Sequence, residues 1–158
     1  NIKKYNREKA VDYAKKWALS RNPEYYDFSL IGGDCTNFVS QCIYAGSGVM
    51  NYTPIYGWYY NSVSSRTASW TGVKYLYDFL TTNMSYGPFG TVVSKEDADL
   101  GDVVQLGKSD DNFYHTLIIT GLNPEILVST HSFDALDRPL STYRFNTIRF
   151  IHIEGVRI

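Results

Sequence analysis

The sequence predicts an α+β fold, with helices first and an antiparallel sheet after them. Three observations carry this. Apolar residues repeat at spacings of three and four in segments before residue 83. From residue 100 the pattern becomes short β-branched runs separated by turn residues. Helices in one block and strands in another make the α+β pattern rather than an alternating one.

The elements follow in order. Asn6 can cap a first helix whose stripe is Ala10, Tyr13, Ala14, Trp17 and Ala18. Lys15 and Lys16 lie toward its C-terminal half, where the helix dipole favours cations, and Asn22-Pro23 ends it. A second, central helix starts at Asp34 or Cys35 and runs to Ala45, with Gly46 as its stop. Residues 46–69 have little periodicity and read as a long loop. Ser69-Trp70-Thr71 opens a third helix with Trp70, Val73, Leu76, Tyr77 and Leu80 on its buried face, ending at Thr82-Asn83. Gly87-Pro88-Phe89-Gly90 reads as a turn before a short strand at 91–93. Strands are expected at 102–106, 114–122, 126–131 and 148–153. No repeat or linker divides the chain, so one domain over 1–158 is expected.

Composition limits the function. Hydrophobic residues make up 44% and charged residues 20%, which is a globular balance. A net charge of −1 without a basic patch points away from nucleic acid. No apolar run reaches the ~18 residues of a membrane span, so no membrane insertion is expected. The chain begins at Asn1, as a processed form or an excised domain would. Cys35 and Cys42 are seven residues apart, roughly 10 Å along one helix, too far for a disulfide. Cys42 reads as core. A monomer without cofactor or metal is expected, because the Cys and His spacings match no compact zinc motif.

The chemistry is concentrated in Gly32-Gly33-Asp34-Cys35-Thr36-Asn37. A cysteine at a helix start meets unpaired N–H groups and a partial positive charge, which favour the thiolate. That suits Cys35 to nucleophilic attack on a carbonyl. A thiol nucleophile needs a base, and the base needs an orienting group. His115 follows a polar loop at one strand end, and His131 ends the next strand. A turn centred near residue 124 would put both on one face, within diagonal reach. His115 is then the base and His131 its orienting partner, with Asp134 the alternative. His152, inside the last strand, reads as structural or surface. The Cys35 backbone N–H is the first oxyanion donor, with Tyr26, Asn37 and Gln41 as candidates for a second and Asp34 as cap or cleft wall. The aromatic run at 56–60, including Trp58 and Tyr59, is a candidate groove for glycan or peptide.

The stretch 32–42 resembles the hallmark of the putative amidase domain family, papain-like bacterial proteins related to cell-wall cysteine peptidases. Tyr5-Asn6-Arg7, Asn22-Pro23, Trp58-Tyr59-Tyr60, Ser69-Trp70 and Leu100-Gly101-Asp102-Val103-Val104-Gln105 are also similar to that family. The resemblance covers nearly the whole chain. It implies a papain-like core and a Cys–His–polar site at Cys35, His115 and His131. It also implies hydrolysis of amide bonds in peptidoglycan or its peptide fragments, outside the cytoplasm or at the cell wall. An inactive glycan- or peptide-binding module and an acyltransferase with the same residues are the alternative readings.

Overall fold

A computed structural model describes residues 1–158. It has the expected α+β order, and most of its strands lie in one antiparallel sheet. α1 (Arg7–Trp17) starts where the Asn6 side chain accepts the Lys9 N–H at 3.0 Å. It ends at Trp17, five residues before the expected stop at Asn22. α2 (Cys35–Ser47) is buried on nearly every side. The residue that ends it is Gly48, at φ 66°, and not Gly46. Gly46 lies inside the helix because α1 crosses there: a Cβ would sit 2.6 Å from Tyr5 Cε1 and 2.7 Å from the Asn6 carbonyl.

The long loop at 46–69 is more ordered than the sequence suggests. It holds a small hairpin, β2 (Tyr60–Ser62) and β3 (Ser65–Arg66). Trp58 is fully buried, 4.6 Å from the Trp70 ring, and its Nε1 donates to Ser40 Oγ at 3.2 Å. The expected third helix is broken in two, α3 (Ala68–Thr71) and α4 (Val73–Thr82). Gly72 between them is extended at φ −112°, ψ 130°.

The sheet contains β1 (Ile2–Lys3), β4 (Gly87–Val93), β5 (Val103–Ser109), β6 (Asn112–Gly121), β7 (Leu127–Thr130), β8 (Ala135–Pro139) and β9 (Thr147–Arg157). The strand order is β1-β9-β5-β6-β7-β8, with β4 on the other edge of β9. β1 and β8 were not legible: one is two residues long, and the other follows Ser132 and Phe133 at φ 60° and 67°. Gly87 and Pro88, read as a turn, instead begin β4 and pair with Arg157 and Val156.

Alternation along the strands gives the sheet two apolar faces. Val103, Ile118, Ile151 and Ile153 face the helices and meet Phe38, Val39, Ile43 and Leu80. Val104, Leu106, Leu117, Ile119, Val128 and Phe150 form a second cluster with Leu140. Each of these large aliphatic or aromatic side chains stabilises the fold by roughly 1.5–3 kcal/mol when buried. Asp102, at the head of β5, ties the layers together. Its carboxylate accepts Arg7 at 2.7 Å, His152 Nδ1 at 2.7 Å, Ile153 N–H at 3.0 Å and Asp99 N–H at 2.7 Å. His152 is thus part of this buried carboxylate's hydrogen-bond set.

Candidate active site

The Gly-Gly turn before Cys35 uses backbone that only glycine adopts freely. Gly32 and Gly33 stand at φ 82° and 100°. A Cβ on Gly33 would also lie 3.2 Å from Ser132 Oγ, and that hydroxyl accepts the Asp34 N–H at 2.7 Å. The turn thus seats the start of α2 against the loop that follows β7. Cys35 is 8% exposed, and both cysteines are free.

Cys35 and His115 line one cavity of about 330 Å³, together with Gly32, Gly33, Leu106 and Phe133. Their chain neighbours are bonded to each other. Thr36 and Thr116 hydroxyls are 2.9 Å apart, and Gln105 Nε2 donates to Thr116 Oγ1 at 3.3 Å. This bond joins the first turn of α2 to β6 one residue beyond the thiol and one beyond the imidazole.

The electrostatics differ from the expectation of a ready thiolate. Burial pushes the Cys35 thiol up. The Thr116 and Thr36 backbone and the Thr36 hydroxyl pull it down, and the charge on Asp34 adds to the rise. Desolvation wins because the sulfur lies within the protein and not at an open helix end. His115 moves the other way: burial first, and Arg138 second, push its imidazole down to about 4. At neutral pH the resting pair is therefore a thiol and a neutral imidazole. That imidazole can accept a proton.

His131 does not reach His115. Its Nδ1 is 2.6 Å from Asp34 Oδ2, and its Nε2 donates to the Trp17 carbonyl at 2.8 Å. Its ring stacks on Phe38 with centroids 4.1 Å apart. Both nitrogens are engaged, so neither can accept from His115. The reason is a β-bulge. Gly121 pairs with Leu127 in the expected register, but Ile119 pairs with Val128 and Ile118 with Ser129. The extra residue, Thr120, shifts the register by one, and a one-residue slip reverses the faces. His115 then shares the face of its opposite number, Leu106, while His131 faces the helices.

Asp134 is also occupied elsewhere. Arg21 grips it with two bonds, at 2.9 and 3.1 Å. The side chain of His115 makes no hydrogen bond of its own. Leu106 lies directly across the ladder, and the Tyr143 ring is 6.2 Å away between centroids.

The other candidates are framework. Asp34 makes no side-chain cap; its Oδ1 accepts Phe28 N–H at 2.8 Å and Asn37 Nδ2 at 2.9 Å. Asn37 also donates to the Tyr26 carbonyl and accepts Trp70 Nε1 at 3.0 Å. Gln41 accepts the Tyr13 hydroxyl at 2.5 Å. The Tyr26 ring packs edge-on against Phe28, and Tyr59 packs against Tyr52. None of Tyr26, Asn37, Gln41, Trp58 or Tyr59 lines the Cys35 cavity. No group of three or more His, Cys, Asp or Glu side chains is placed to hold a metal ion. No helix is long and apolar enough to cross a membrane.

Sequence reasoning missed the far wall of the cavity: Ser132, Phe133, Arg138, Tyr143 and Arg144. One signal was present. Residues 138–153 carry three arginines and no acidic residue.

A cysteine at a helix start and a strand histidine thus line one cavity of an α+β fold. Residues 4–153 match the family described as the putative amidase domain, and the chain belongs to that family. Amide hydrolysis is the chemistry by which that family is described. The chain is similar to the uncharacterized protein YhbB of Bacillus subtilis (strain 168). They are 36% identical over 118 residues, which cover 73% of this chain and 37% of that protein. The chain thus spans little more than a third of that relative's length. No solved structure is a significant match.

Proposed function

We propose that the protein is a thiol-dependent amidase that cleaves amide bonds in peptidoglycan or its peptide fragments, outside the cytoplasm. The observation that carries the reading is the shared cavity of Cys35 and His115. His115 takes the thiol proton as Cys35 Sγ attacks the amide carbonyl. N–H groups of the first turn of α2 have no partner within the helix and face the developing oxyanion. The C–N bond then breaks, and His115 returns the proton to the leaving amine. Water, deprotonated by His115, cleaves the thioester and restores the thiol.

This is a two-residue machine. His131 acts at one remove, by holding the carboxylate of Asp34, the residue before the nucleophile. The cell-wall substrate rests on the resemblance of the 32–42 motif to the putative amidase domain family, whose members are related to cell-wall cysteine peptidases.

Digestion of purified peptidoglycan, with mass spectrometry of the released fragments, tests the reading. The native chain is expected to release a new amine and a new carboxyl at one amide bond. Cys35→Ala and His115→Ala should each lower the rate by at least about 10³-fold. Equal digestion by Cys35→Ala would overturn it.

A further inference from the structure

The Cys35 cavity has a cationic wall with no matching acid. Arg138 and Arg144 both line it, and no Asp or Glu does. Neither arginine forms a salt bridge, in a chain with 16 acidic residues. Arg138 is held in place. Its Nε donates to Thr142 Oγ1 at 2.7 Å and its Nη2 to the Thr142 carbonyl at 3.1 Å. Its guanidinium lies 3.9 Å over the Tyr143 ring. The Arg144 side chain donates to nothing. The Tyr143 hydroxyl is buried and is one of two buried side-chain polar atoms without a hydrogen-bond partner. An unmatched guanidinium and an orphaned hydroxyl at a reactive centre are the parts of an anion-binding wall.

We propose that Arg138, Arg144 and Tyr143 form a carboxylate subsite, and that the preferred substrate is an amide with a free carboxylate close to the scissile bond. Leu106, Tyr114 and Phe133 supply the apolar part of the cavity, suited to the aliphatic stem between amide and carboxylate. The inference rests on the thiol-amidase reading of the same cavity and narrows its substrate class. It also has a consequence for the base. Arg138 disfavours the charged form of His115. A bound carboxylate offsets that charge and makes the imidazole a better proton acceptor once substrate is present.

The test is the rate of Cys35 alkylation by iodoacetate against iodoacetamide, located by peptide mapping. In both reactions sulfur displaces iodide from carbon and the thiol proton is lost to His115 or solvent. The anionic reagent carries the carboxylate and the neutral one does not. The iodoacetate-to-iodoacetamide ratio at Cys35 is expected to exceed that of free cysteine by roughly tenfold. It should fall toward the free-cysteine value in Arg138→Gln, in Arg144→Gln and at high salt. Arg144→Gln removes an exposed side chain without hydrogen bonds, so it keeps the test open if Arg138→Gln does not fold. A free-cysteine ratio in the native chain overturns the subsite and leaves the thiol reading standing. No alkylation of Cys35 by either reagent overturns both.

Discussion

At His115, burial decides the protonation state. Its imidazole is pushed from 6.5 down to about 4, so it is a free base across the neutral range. The rate should therefore lose its base only as pH falls through about 4, which a pH profile of kcat/KM measures. The stability sign follows from linkage. Above 6.5 neither folded nor unfolded chain protonates this group. Between 6.5 and 4 the unfolded chain takes up a proton that the folded chain refuses, so stability drops as pH falls through that window. Urea unfolding of the native chain and His115→Gln at several pH values isolates this term: the variant should lose less stability on acidification. The thiol shows why residue-scale reading from sequence is partial. Position at a helix start was legible in Gly32-Gly33-Asp34-Cys35. The depth of the sulfur depends on Thr116, Phe133 and Leu106, far along the chain, and it reversed the direction of the shift.

Between elements, two features control the site. The Thr36–Thr116 bond closes α2 onto β6. Thr116→Val keeps the volume but leaves Thr36 and Gln105 without this partner. It should cost about 1–3 kcal/mol in urea unfolding. It should also slow Cys35 alkylation, whereas Thr116→Ser should preserve most of both. The second feature is the Thr120 bulge. Strands at 114–122 and 126–131 were plain in the sequence, and a hairpin was the right inference from them. A bulge leaves no mark in periodicity, so the sequence placed His131 on the face of His115 when it belongs to the opposite one. Thr120 is held by Ser129 at 2.9 Å and Asp137 at 2.6 Å, and neither partner announces this in sequence. Register over long strands was therefore predictable only up to the first irregularity.

Over the whole molecule, the fold places the first turn of one central helix against one strand of the sheet and surrounds the meeting with short loops. The order of helices and strands was readable because period changes near residue 100. The strands at the rim were not, since β1 is short and β8 lies among residues at positive φ. The Leu100-Gly101-Asp102 signature has a physical purpose that sequence alone did not show. It buries a carboxylate that binds α1 through Arg7 and β9 through Ile153 and His152. The cationic cavity wall comes from β8 and the turn after it, the part of the chain with the weakest pattern. The proposed function makes one sulfur, that of Cys35, the nucleophile. Rapid quenching of the protein with peptidoglycan peptides, followed by mass spectrometry of its proteolytic fragments, tests that claim most directly. The account predicts a transient acyl mass on the fragment holding Cys35, absent in Cys35→Ala. Steady release of amide-cleavage product without any acyl mass on that fragment, undiminished in the variant, would contradict it.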